Sequence, residues 1–150
     1  MRILAALALV TAALAAPTAA WAYGSEVSAY GCYAEGGHVT RPAGTDIVIR
    51  QGWSTMTRSQ NQQFIQAQRT FVSVNGGPQI DLSRDWTTPR QYDNAWITWV
   101  FYPTRMVLAP GESMTFDYVT SLRPSVFDGF SYAGRGTVIE SHCTVTGPES

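Results

Sequence analysis

The chain contains no lysine: its ten basic residues are all Arg, set against eleven Asp and Glu, for a formal net charge of −1 over 150 residues. The charges of either sign are interspersed rather than blocked. No basic surface for a phosphate backbone or an anionic membrane is therefore expected, and nucleic acid is not an expected partner. Histidine is nearly as scarce, with only His38 and His142. There is no Gly-x-Ser-x-Gly elbow and no phosphate-cradling glycine loop, because Gly76-Gly77-Pro78 reads as a turn. The soft metal ligands His38, His142, Met56, Met106 and Met114 fall at no spacing that places two of them on one face. No catalytic residue, metal or cofactor is expected.

Long apolar runs are also rare. The only one opens the chain, where Arg2 precedes an Ala/Leu-rich stretch from Ile3 to Ala16 and Ala20-Trp21-Ala22 fits small-x-small cleavage. Residues 1–22 read as a signal peptide and Tyr23 as the first residue of a single exported domain, 23–150. A retained anchor is the competing reading, weakened by the short apolar run and by Pro17. No membrane span is expected in the mature form, and localisation should be extracellular or on the outside of the cell envelope. Cysteine occurs twice, at Cys32 and Cys143. In an oxidising compartment the pair reads as one disulfide closing a loop of roughly 110 residues, stabilising by about 4–5 kcal/mol.

What the chain does contain is strand after strand. Asp93 to Leu122 organises the rest: the aromatic run Asn94–Tyr102 and the alternating run Met114–Leu122, joined around a turn at Pro110-Gly111. Further strands are read at Tyr23–Tyr33, at Asp46–Arg50 continuing to Trp53, at Thr70–Val74 with Ile80–Leu82 as a hairpin, and at Thr137–Thr146. Gly52 marks a bulge or a close backbone approach. Thr57 to Gln68 is the one short helix, with Thr57 and Gln60 or Ser59 and Gln62 as capping box. About seven short strands without βαβ alternation predict an all-β, antiparallel, immunoglobulin-like β-sandwich, with a partly closed barrel as the alternative.

Several stretches go further. Gly52-Trp53, Gln62-Gln63-Phe64-Ile65-Gln66-Ala67, Val72–Pro78, Leu108-Ala109-Pro110-Gly111-Glu112-Ser113, Asp128-Gly129-Phe130 and Gly134-Arg135-Gly136, closing on Cys143, resemble small exported bacterial immunoglobulin-like β-sandwich domains of unknown function. The resemblance covers residues 45 to 146 and rests on turns and core positions, so it implies a fold and no catalytic residue. Ser131-Tyr132-Ala133 stands where such domains often carry an acidic calcium loop, so no calcium site is expected.

Aromatics are the remaining signal. In the central strand Ile97, Trp99 and Phe101 share one face and Trp96, Val100 and Tyr102 the other. The candidate ligand-binding residues are Trp86, Arg90, Tyr92, Trp96 and Tyr102, which could stack on sugar rings or anchor a protein. The competing reading places these aromatics in the core. The function expected is a secreted, non-catalytic binding or surface-interaction domain with a protein or cell-surface glycan partner. A carbohydrate-binding module is the alternative. A small hydrolase is the third reading, requiring His38 or His142 beside a nucleophile in a cleft.

Overall fold

Thr57 begins the longer helix as its sequence demands. The Thr57 side chain accepts from the Gln60 main chain while the Gln60 side chain accepts from the Thr57 N–H, a complete capping box that opens α2 (Arg58–Ala67). In the computed structural model, which describes residues 26–149, this helix lies against a protein built mostly of strands. The signal-peptide reading, with cleavage before Tyr23, lies outside the described residues.

One sheet runs in the order β1 (Glu26–Ser28), β3 (Asp46–Thr55), β7 (Ala95–Phe101) and β6 (Arg90–Tyr92), with β8 (Met106–Val107) also paired to β3. The other runs β2 (His38–Thr40), β12 (Gly136–Thr146), β9 (Ser113–Leu122), β4 (Gln68–Val74) and β5 (Ile80–Asp81). A small hairpin, β10 (Val126–Phe127) with β11 (Tyr132–Ala133), completes the set. Period-two alternation sends one face of each sheet inward. Ile47, Ile49 and Val100 of the first meet Met114, Phe116, Tyr118, Val72 and Val145 of the second in one continuous core.

Three expectations need correction. The sheets are mixed rather than purely antiparallel, because β1 runs parallel to β3 and β2 parallel to β12. Among the described residues there are two helices: Ala29–Ala34, read as part of the first strand, forms the short helix α1. Ser28 caps it by accepting from the Gly31 N–H at 2.8 Å, and Ala29 and Cys32, three apart, are its buried residues. The described residues also form twelve strands rather than about seven. The aromatic run and the alternating run fall in different sheets, so the segment around Pro110-Gly111 crosses between layers. Gly111 has φ +74°, and the Glu112 N–H donates to the Ala109 carbonyl across the turn.

The disulfide is present. Cys32 of α1 is bonded to Cys143 of β12 across a sequence separation of 111, with a Cα–Cα distance of 5.9 Å. It ties α1, which grows out of the first sheet, to the second.

Candidate functional site

The two parallel edge strands are short. β1 follows β3 only as far as the Ser28–Arg50 pair, and β2 follows β12 only over Thr144–Thr146. Among the described residues, no strand lies on those sides of β3 at 51–54 or of β12 at 138–141. The two uncovered edges, with α1 beside them, line a cleft of about 660 Å³. That size is typical of a small-molecule site.

Gln51, Trp53 and Ser141 line the cleft from the inward faces of β3 and β12. Gln51 and Ser141 are only 3% and 4% exposed. The Gln51 Nε2 donates to the Gly52 carbonyl at 2.9 Å, covering one main-chain acceptor beside the cleft, but Gln51 Oε1 has no partner. Trp53 Nε1, Ser141 Oγ and Arg50 Nε are buried and without partners as well. Six buried side-chain polar atoms lack a partner among the described residues, and four of them belong to residues lining this cleft. Natural proteins satisfy most such groups, so this concentration sets the cleft apart from the rest of the described core.

The walls are aromatic. The Trp53 ring is stacked on Phe64 of α2, with centroids 4.3 Å apart and planes 1° from parallel. Trp99 lies so close over Gly52 that a side chain at 52 would collide with it, and the strand register is continuous there. The expected close approach at Gly52 is therefore made by a ring, without a bulge. The Arg50 guanidinium sits 4.0 Å from the Trp99 ring centroid and pairs with Glu26 at 3.0 Å, so its charge is already balanced. Tyr30 and Tyr33 stand on α1 at the cleft, 75% and 69% exposed.

The residues singled out by sequence are placed differently. Trp86 is buried, packs edge-to-face on Phe64 at 5.0 Å, and donates from Nε1 to Thr70 Oγ1 at 3.3 Å. Trp96 lies on the same face as Thr98 and Val100, which are fully buried, and Tyr102 packs against the core. Arg90 and Tyr92 are exposed on β6, in the alternation that carries Ile97 and Trp99 on the opposite face from Trp96. These five residues therefore do not form one surface, and none of them lines the cleft. Sequence reasoning missed Tyr30, Tyr33, Gln51, Trp53 and Ser141. The i, i+3 spacing of the two tyrosines behind a Ser cap was the available signal.

Neither histidine borders the cleft. His142 Nδ1 lies 2.6 Å from Asp117 Oδ1 on the exposed face of β12, whereas its neighbour Ser141 points inward. His38 Nε2 is 2.9 Å from Thr146 Oγ1, also exposed. Two groups have shifted acidities. Burial pushes the Tyr118 phenol above its ordinary range, opposed by the Tyr102 main chain. At the surface, the Ser83 hydroxyl and main-chain N–H hold the Asp81 carboxyl below its usual value. Among the described residues, no three His, Cys, Asp or Glu side chains gather as metal ligands. No helix there is long and apolar enough to cross a membrane.

No protein-family model, no curated protein and no solved structure matches this chain.

Proposed function

We propose that this is an exported, non-catalytic binding domain with an immunoglobulin-like sandwich architecture, and that its ligand enters the cleft between α1, β3 and β12. The observation that carries the reading is the set of buried polar atoms without partners, Gln51 Oε1, Trp53 Nε1 and Ser141 Oγ, gathered in one cleft. A buried donor or acceptor left unmade costs about 1–3 kcal/mol, so three together are a stability cost that a ligand would remove. The signal-like first 22 residues and the disulfide favour an oxidising compartment outside the cytoplasm. The mixed edges depart from the simplest sandwich, but two sheets burying their inner faces in one core support the architecture.

The test is thermal denaturation of the protein, its disulfide intact, across a panel of soluble oligosaccharides, short peptides and small amphipathic compounds. A ligand at a hundred times its Kd adds about 2.7 kcal/mol, which for a domain of this size raises Tm by on the order of 10 °C. The rise should vanish in the Tyr30→Ala/Tyr33→Ala variant, whose changes are at exposed positions, and the ligand should be recovered chemically unchanged. A rise that survives in that variant, or turnover of the ligand, overturns the reading.

A further inference from the structure

We infer that the ligand is a neutral saccharide, a short polyhydroxylated chain whose ring face rests on Tyr30 and Tyr33; this rests on the cleft being the binding site.

The polar atoms define the class first. Gln51 Oε1 can only accept, Trp53 Nε1 can only donate, and Ser141 Oγ can do either. An ammonium cannot accept from Trp53, and a carboxylate or a phosphate diester cannot donate to Gln51. A hydroxyl does both, and a run of neighbouring hydroxyls serves several such points without a change of chemistry.

Charge points the same way. Arg50, the one basic residue in the lining among the described residues, is held by Glu26 at 3.0 Å and laid over Trp99. Asp128 and Glu140 also line the cleft, and Asp128 Oδ1 already accepts from the Phe130 and Ser131 N–H groups. The lining therefore offers no unbalanced positive charge to an anionic ligand. Arg50 Nε keeps an N–H free for a neutral acceptor.

Shape separates a sugar from an extended peptide, the other neutral ligand with alternating donors and acceptors. A peptide adding to the uncovered edge of β3 would continue the line of β1. That line turns into α1 directly after Ser28, so the helix stands beside the track a strand would take. What α1 offers instead is a pair of rings one turn apart, exposed at the cleft. An exposed phenol has an apolar face for the C–H side of a sugar ring and a polar tip for its hydroxyls.

The experiment is a titration of intrinsic tryptophan fluorescence, reporting Trp53 and Trp99, with the disulfide-intact protein. Three series are used: neutral gluco-, manno- and chito-oligosaccharides; uronic-acid oligosaccharides; and uncharged Thr/Val-rich peptides. We expect a saturable change with a member of the neutral series. Its midpoint should rise at least tenfold in Tyr30→Ala/Tyr33→Ala and in Gln51→Leu, with unchanged circular dichroism. Saturation by peptides or uronates alone, lost in the same variants, sinks the saccharide assignment and leaves the cleft a binding site. Silence from all three series, with no compound of the thermal panel acting through Tyr30 and Tyr33, overturns both.

Discussion

Two groups of buried polar side chains sit in this protein, and they are finished to different degrees. In the first, Thr70 Oγ1 donates to Gln68 Oε1 at 2.8 Å, lies 2.9 Å from Thr120 Oγ1 and receives Trp86 Nε1, while Gln68 Nε2 donates to the Ser83 carbonyl at 2.7 Å. Its strands are covered on both sides, β9 lying between β12 and β4, and β4 between β9 and β5. In the second, the cleft, the strands run past their short parallel neighbours and the side-chain atoms end without partners. The same residue types, amide, hydroxyl and indole, are paired where the sheet closes and left unpaired where it does not. Topology makes that difference, not composition.

The largest change comes from cutting what holds the cleft wall. Cys32→Ser/Cys143→Ser should lower stability by about 4–5 kcal/mol in urea unfolding, from a loop of 111 residues, and should abolish any ligand-induced Tm rise. Full ligand response in the unbridged variant would show that α1 is not held in place by the bond.

Thr70→Val tests the closed network by removing its hub at nearly constant volume. Trp86 Nε1, Gln68 Oε1 and the Thr120 hydroxyl all lose a partner, and a loss of about 2 kcal/mol is expected. A loss below about 0.5 kcal/mol would place the network on the same footing as the cleft.

Tyr118 sharpens the comparison from a third position, fully buried yet outside the cleft lining. Burial raises its pKa from the ordinary 10.0, so above that pH the unfolded chain gives up the proton while the folded one keeps it. The unfolded state then binds fewer protons, and stability falls with rising pH, by about 1.4 kcal/mol at pH 11. Tyr118→Phe should remove this part of the alkaline loss. An unchanged slope of stability between pH 9 and 11 would show that the phenol ionises in the fold.

The smallest effect has the opposite sign. Ser141→Ala removes a buried hydroxyl that has no partner, so the ligand-free protein should gain about 1 kcal/mol and unfold roughly 4 °C higher. Destabilisation on that change would mean that Ser141 belongs with Thr70.

How much of this could be read beforehand follows the range of each interaction. The capping box of α2 lies within four residues, and the β4–β5 turn carries Asn75 at φ 51° and Gly76 at φ 66°, so both are written locally. The disulfide follows from having two cysteines and one compartment. Helix α1 was faintly legible, in Ser28 ahead of residues spaced i, i+3. At six residues that signal is weak beside the strand pattern of its neighbours, and burial of Ala29 and Cys32 with the bond to Cys143 is what shows it. Trp86 looked like a loop aromatic, and nothing nearby says that its indole turns in toward Thr70. The cleft was the least legible feature, since its edges exist only because β1 and β2 arrive parallel and stop early, a property of pairings between distant residues.

The bond between Cys32 and Cys143 also bears on the life of the chain before it binds anything. Before oxidation, nothing covalent keeps α1 against β12, and the uncovered stretches of β3 and β12 are templates for a neighbouring copy's strand. Closing the bond fixes α1 beside those stretches, where it stands in the way of an added strand. The speed of thiol oxidation therefore sets how long the chain is open to self-association.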